Sequence, residues 1–308
     1  LKDRIFVDSG AHSLYIKHVV ENKEGYAYFE TDAFWKYVDD YATFIKKNAK
    51  KIKIFANVDV IRNPELSYKV YKYLINTHKL NPLGVVHFNT DLKWLKKYME
   101  DSDYIAIGGL GQKTSINTYV PFADSVFKMI SDKEGYPTHK IHGFAITSPM
   151  LLHRYPFYSS DSTSWVQYGR YGAISMPRTK NGKKDFKRSP LFLYVSLRAV
   201  ASSKILGKHF NTLTKIEQNN VVAYIQEKGL KFGVSEKKRI PINQELKENE
   251  SLIKKFKTDK LIEVIKEAGV SNNNFMRDIF NANYAIDLAN SVPEWPWKFK
   301  YTKQNTFL

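Results

Sequence analysis

The segment IKIFANVDVIRNPELSYKVYKYLINTHKLNPLGVVH, residues 52–87, decides the fold. Its opening run, Ile52–Asp59, is short, apolar and rich in Ile, Val and Phe, and its closing run, Leu83–His87, has the same character. Between them Pro64–His78 sets Leu66, Val70, Tyr73 and Leu74 at helical spacing. Two largely apolar strands joined by an amphipathic helix form a unit of parallel sheet covered on both faces.

The same alternation extends in both directions. Arg4–Asp8, Tyr104–Ile107, Ile141–Ile146, Phe157–Ser160 and Gly172–Met176 read as further buried parallel strands. Asp32–Asn48 reads as a helix after the cap candidate Thr31, with Phe34, Val38, Tyr41, Ala42 and Ile45 on one side. Asp91–Met99 and Ile116–Ile130 complete the pattern. Strand alternating with helix predicts an α/β fold. Seven strands fit a (β/α)8 barrel of the TIM type better than an open doubly wound sheet. The eighth strand is expected upstream of Leu1 or within Leu191–Val195. The chain opens on Leu1 and runs at once into a strand, which suggests a missing upstream piece; no signal peptide is visible.

Beyond the alternation the character changes. Arg178–Arg188 (RTKNGKKDFKR) carries six basic residues in eleven and is expected to be an exposed loop. Thr214–Lys228 begins with a capping-box pattern, Thr214 with Glu217, and stops at Gly229. Asn243–Ala268 and Asn273–Ser291 read as two more helices, ahead of an aromatic and basic tail, PEWPWKFKY at 293–301. The expected organisation is a catalytic barrel over residues 1–200 and a helical, basic C-terminal extension over 201–308.

Composition limits the function. The 308 residues include 48 Lys and Arg against 31 Asp and Glu, a formal charge of +17. Residues 178–308 hold 25 of those basic residues and 13 of the acidic ones, so the surplus lies mainly there. Such an excess favours a polyanion as partner, nucleic acid foremost. With 43% hydrophobic residues the chain can bury a core, which excludes a disordered basic tail. No apolar run reaches the ~18 residues of a membrane span, so no membrane partner and a cytoplasmic location are expected. The absence of cysteine excludes disulfides, thiolate nucleophiles, Fe–S clusters and Cys-rich zinc sites.

In a barrel of this type chemistry gathers where strands end. The first strand ends in Asp8, before a tight turn at Gly10, and the second in Asp59. Each carboxylate is either a cap or an acid/base. The third strand ends in His87, the fourth runs into Gly108-Gly109-Leu110-Gly111, and the sixth ends in Asp161 amid hydroxyl residues. Two carboxylates facing an anomeric carbon suffice for double displacement at a glycosidic bond, one as nucleophile and one as proton carrier. A third suits the N–H edge of a purine.

The ordered set VDSGAHS (7–13), NVDV (57–60), GVVHFN (84–89), IGGLG (107–111), HGFAITSP (142–149) and SSDSTSW (159–165) resembles the tRNA-guanine transglycosylase superfamily, and most closely the phage and bacterial DNA-guanine transglycosylases that install 7-deazaguanines in DNA. The resemblance covers roughly residues 4–177. It implies Asp161 as the nucleophile at C1′ and Asp8 as general acid/base. It implies Asp59 as reader of the purine N1–H and 2-amino group, with His87 at the base edge. It implies Gly108, Gly109 and Leu110 as backbone contacts to the 7-substituent, and His12 and Phe144 as the sandwich around the base. No cofactor is implied.

The tRNA enzymes of that superfamily carry a zinc site of three Cys and one His, for which this chain has no cysteine; Ala11 and His12 also depart from the family pattern. These differences favour DNA over tRNA, the alternative substrate. His139, His142 and His153 match no standard metal spacing and are read as structural or surface residues. Arg178, Lys180, Lys183, Lys184, Lys187 and Arg188 are candidates for gripping phosphates, together with the C-terminal helices. Trp295 and Trp297 are read either as stacking on bases or as pinning the tail. A barrel that binds nucleic acid without catalysis and a sugar hydrolase are the competing classes.

Overall fold

Six short parallel strands follow one another in chain order. The computed structural model describes residues 5–23, 25–109, 116–180, 182–198 and 207–301. Its elements begin β1 (Ile5–Val7), α1 (Ala11–Leu14), α2 (Asp32–Lys47), β2 (Ile52–Phe55), α3 (Pro64–Asn76), β3 (Gly84–His87), α4 (Lys93–Asp101), β4 (Tyr104–Gly108), α5 (Ile116–Ile130), β5 (Lys140–Gly143), α6 (Pro149–Arg154) and β6 (Ser159–Ser160). Strand β1 pairs with β2, and a parallel bridge from Ala56 to Leu83 leads on to β3. Strands β3, β4, β5 and β6 then pair in turn, all parallel. Among the described residues these strands do not close into a ring.

Local chemistry explains the helices between them. Thr31 caps α2 by accepting from the Phe34 N–H, and Asn63 caps α3 by accepting from Leu66 N–H at 3.0 Å, with Pro64 in the first turn. Helix α2 buries Phe34, Val38, Tyr41, Ala42 and Ile45, the side expected from the sequence. Each large apolar side chain so buried contributes about 1.5–3 kcal/mol. On one face of the sheets, Leu83, Val85 and Ala106 pack with Phe6, Ile54, Tyr104 and Phe144. Strand side chains alternate, so Asp8, His87 and Gly108 lie two residues on from Phe6, Val85 and Ala106, at the carboxyl ends of their strands.

Packing divides the chain into two compact units. One comprises residues 1–146, 154–161 and 294–308; the other comprises 147–153 and 162–293. The division falls earlier in the chain than the 200/201 boundary drawn from pattern and charge. The first unit includes the tail: Phe299 is buried against Phe127 and Tyr155, its N–H donating to Gly135 O at 2.8 Å, and Trp295 packs edge-on against Tyr158.

The second unit contains α7 (Ser164–Arg170), β7 (Ala173–Met176), β8 (Arg178–Lys180), β9 (Lys183–Asp185), β10 (Leu191–Tyr194), β11 (Lys208–His209), α8 (Lys215–Glu227), β12 (Val234–Pro241), β13 (Glu250–Lys255), β14 (Asp259–Glu267) and α9 (Asn274–Ser291). Three expectations are corrected here. The run at Gly172–Met176 is a buried strand, but β7 pairs antiparallel with β10 instead of extending the parallel series. The intervening chain turns back on itself as the β8–β9 hairpin and supplies no crossover helix, and a direct return of this kind gives antiparallel pairing. The basic stretch is therefore a hairpin, not an irregular loop, though it is exposed as expected.

The C-terminal extension is also not wholly helical. Residues 243–268, expected as a helix, form β13 and β14, which join β12 in an antiparallel sheet of order β12-β14-β13. Leu261, Ile262, Val264 and Ile265 are a largely β-branched cluster, and such residues fit a pleated surface better than a helix. The capping box at Thr214 and Glu217 and the helix after Asn273 form as the sequence indicates. Among the described residues no helix is long and apolar enough to cross a membrane.

Candidate functional site

The strand-end residues lie in the first unit. Asp8 follows β1 and is exposed; its Oδ1 accepts from the Ser9 N–H at 2.7 Å. Gly10 makes the turn that follows, with φ of 73°, a left-handed value that favours glycine. The Tyr37 hydroxyl closes the turn from α2 by donating to Ser9 O at 2.7 Å. A Cβ on Gly10 would stand 2.8 Å from that hydroxyl oxygen.

Asp59 is buried, and its Oδ2 lies 2.7 Å from Nε2 of His87. The structure thus joins two residues that the sequence nominated separately. Tyr41 is buried on α2. Its hydroxyl donates to Ala56 O at 2.9 Å. Burial first, then the negative charge of Asp8, Tyr37 and the charge of Asp59, push its phenol far above the ordinary value. Gly108 lies against His87, since a Cβ there would be 3.4 Å from the imidazole Cδ2. Gly109 has φ of 83°, and a Cβ there would crowd the Phe88 backbone N at 3.2 Å. Leu110 lies outside the described residues.

Asp161 follows β6 and is about half exposed. Its Oδ1 accepts from the Ala145 N–H at 3.0 Å and lies 3.5 Å from His142 Nε2. Burial raises the carboxyl pKa, but the nearby His142 imidazole and donation from the Ala145 backbone outweigh it, and the carboxyl is held below its ordinary value. Ala145 presents its N–H from a left-handed conformation, φ 57°, that an alanine seldom adopts. Strain of this kind concentrates at functional sites.

The chain matches no protein-family model, no curated protein and no solved structure.

Phe144 is half-buried and meets His142 edge-on, with ring centroids 4.6 Å apart, and Phe6 at 5.9 Å. His12 is exposed on α1 and is not among the ring partners of Phe144. Sequence reasoning placed His142 with the structural and surface histidines; the structure puts it beside Asp161. The available signal was its spacing, two residues before Phe144 on a strand. His153 Nδ1 lies 2.7 Å from Pro149 O and its Nε2 3.2 Å from Ser291 O, both carbonyls that can only accept, and His139 sits beside Thr138. Among the described residues no group of His, Asp and Glu is arranged to hold a metal ion.

In the second unit, Arg178, Lys180, Lys183, Lys184, Lys187 and Arg188 lie on or beside the β8–β9 hairpin, largely exposed. Lys184 is engaged by Glu227 and lies over the Tyr224 ring, and Arg178 Nε donates to Ser189 O at 2.9 Å. An open hollow of about 530 Å³ in the first unit, lined by Phe88, Asn89, Asp91, Leu92, Pro121 and Phe122 among others, includes none of the nominated residues.

Proposed function

We propose that this chain is a pentosyltransferase that replaces guanine in DNA with a 7-deazaguanine such as preQ0. The observation that carries the reading is the set of three carboxylates, Asp8, Asp59 and Asp161, that follow parallel strands of the same unit, with Asp161 favoured in its ionised form. The six-motif resemblance supports it. The strand order of β1 to β6 suits a (β/α)8 barrel, in which strand ends carry the chemistry.

In this reading the target nucleotide is unstacked, or presented in a single strand, so that C1′ is accessible. The Asp161 carboxylate forms a bond to C1′ while the C1′–N9 bond breaks and its electron pair leaves with guanine. Asp8, as the carboxylic acid, protonates the departing base. The incoming deazaguanine gives its N9 proton to the Asp8 carboxylate, N9 attacks C1′, and the C1′–Asp161 ester bond breaks to restore the carboxylate. Asp59, oriented by His87, accepts from the N1–H and 2-amino group. The β8–β9 hairpin supplies positive charge for phosphates.

Labelled guanine offered with duplex DNA, single-stranded DNA and tRNA tests this reading. The expected result is label in DNA, displaced by unlabelled preQ0, with no incorporation by Asp161→Asn. Label in tRNA alone transfers the activity to tRNA. No incorporation into either nucleic acid removes the transglycosylase reading.

A further inference from the structure

His142 has only one ring nitrogen left to act with, and that atom faces Asp161. The imidazole is 3% exposed. Phe6 stacks on its face with centroids 4.8 Å apart and planes 24° from parallel, and Phe144 meets it edge-on at 81°. Nδ1 is 2.7 Å from Ser159 Oγ, which is itself 2.6 Å from the Tyr104 hydroxyl. Strands β5, β6 and β4 thus supply one chain of hydrogen bonds. Nε2 is buried without a hydrogen-bond partner and points to Asp161 Oδ1 at 3.5 Å, longer than a formed bond. Catalytic hydrogen bonds are often long before substrate arrives.

We propose that His142 is a positioning residue for Asp161: with the Ala145 N–H it holds Oδ1, leaving Oδ2 as the oxygen that attacks C1′. The inference rests on the transglycosylase reading of Asp161. A carboxylate at Nε2 selects the tautomer with its proton there. Nδ1 then accepts from Ser159, and Ser159 accepts from Tyr104. The other titratable neighbours do not compete for Nε2: Tyr158 packs edge-on against Tyr104, while Lys140 and Asp103 pair with each other at 3.0 Å. When Oδ2 bonds to C1′ and the electron pair of the C1′–N9 bond leaves with guanine, Oδ1 becomes the ester carbonyl oxygen. When the incoming base attacks, the C1′–Oδ2 pair returns to the carboxylate, and the two donors at Oδ1 stabilise the charge that reappears. His142 therefore serves both halves of the exchange without exchanging a proton with the base.

Three variants and a spectroscopic measurement on the full chain test this. His142→Phe keeps a ring between Phe6 and Phe144 but removes both nitrogens. It should lower kcat on the order of 10- to 100-fold with KM for the base changed less than about twofold, and should move the acid limb of the pH–rate profile upward. His142→Gln, whose amide N–H can reach the place of Nε2–H, should restore part of kcat. Ser159→Ala tests the ring's anchor independently if the Phe variant does not fold, and should lower kcat by a smaller factor. Nitrogen-15 NMR should find the Nε2–H tautomer in the wild type and a shift of that signal in Asp161→Asn. Wild-type kcat and an unmoved acid limb in His142→Phe overturn the proposal, as does an Nδ1–H tautomer indifferent to Asp161→Asn. A wild-type chain that exchanges no base at all overturns the reading of function instead, and the NMR result still decides whether His142 faces the carboxylate.

Discussion

Nε2 of His87 lies 2.7 Å from Oδ2 of Asp59, with the two side chains 14% and 8% exposed. The pair spans the ends of neighbouring strands, and it fixes the plane of a carboxylate that would otherwise rotate. Each carboxylate oxygen can accept two hydrogen bonds, so His87 can orient Asp59 while both oxygens still receive donors from a purine edge. Removing the imidazole leaves a buried carboxylate short of a partner, which costs about 1–3 kcal/mol. His87→Ala should therefore raise KM for the incoming base about tenfold with a smaller change in kcat, and His87→Gln should recover part of it. Steady-state exchange at saturating DNA measures this; an unchanged KM would remove His87 from base recognition.

Gly10 controls Asp8 through the turn that follows it. Its φ is 73°, and a Cβ added there would stand 2.8 Å from the Tyr37 hydroxyl, so no side chain fits without displacing Tyr37. Gly10→Ala should cost about 1–2 kcal/mol in stability and lower exchange more than this loss of folded protein explains, because Ser9 and Asp8 move with the turn. Denaturant melts and kcat on the same preparation separate the two effects. Full activity with intact Tyr37 packing would show that the turn does not set the acid/base.

Elements whose causes are local were legible in the sequence. Thr31 and the Phe34–Ile45 stripe announce α2, and Thr214 with Glu217 announces α8, because cap and stripe lie within a few residues of each other. The strand-end carboxylates were legible for the same reason, as short apolar runs closing on Asp. Residues 243–268 misled because Lys and Glu favour helices while Leu261, Ile262, Val264 and Ile265 suit strands; only pairing of β14 with both β12 and β13 resolves the conflict. His142 was illegible as a functional residue because its partners, Ser159, Tyr104 and Asp161, come from other segments of the chain. The left-handed Ala145 carries no glycine to mark it.

The hairpin makes a graded prediction about nucleic-acid binding. Lys180 and Lys183 flank its tip, and among the described residues neither has an acidic partner, whereas Lys184 is tied to Glu227. Lys180→Glu and Lys183→Glu should each weaken DNA binding and lower the slope of log K against log salt by about one. Lys184→Glu should have less effect on the slope, since its charge is already compensated in the free protein. Fluorescence anisotropy titrations between low and physiological salt give the slopes. Equal slopes for wild type and all three variants would place the phosphate grip elsewhere.

Asn281 ties α9 to its surroundings within the second unit. It is 1% exposed; its Oδ1 accepts from Ser175 N–H at 2.9 Å, and its Nδ2 donates to Trp165 O and Ala173 O at 3.1 and 3.2 Å. Leucine is similar in size but can make none of these bonds, so Asn281→Leu leaves the Ser175 N–H and the Trp165 and Ala173 carbonyls without that partner. The expected loss is about 2–4 kcal/mol, read as a lower urea midpoint with an unchanged slope. A midpoint equal to wild type would mean that those backbone groups find other partners.

Asp161 supplies a pH test whose sign is fixed by the direction of its shift. Burial opposes the charged form, but His142 and Ala145 favour it more, so the folded carboxyl titrates below its unfolded counterpart. A carboxyl lowered by folding adds stability that is fully present above the unfolded value, about 3.9 for aspartate, and is lost as pH falls through the folded value. Asparagine at this position does not titrate. The difference in Tm between wild type and Asp161→Asn should therefore be constant above about pH 5 and should turn against the wild type below it. Because the side chain is 54% exposed, solvent screens the contribution and the change should be small. His142→Phe removes the imidazole that faces Oδ1 at 3.5 Å, so the same comparison in that background should show a weaker dependence. A Tm difference that moves in favour of the wild type on acidification would mean that burial, not donation, governs this carboxylate, and that Asp161 is less ready to act as a nucleophile.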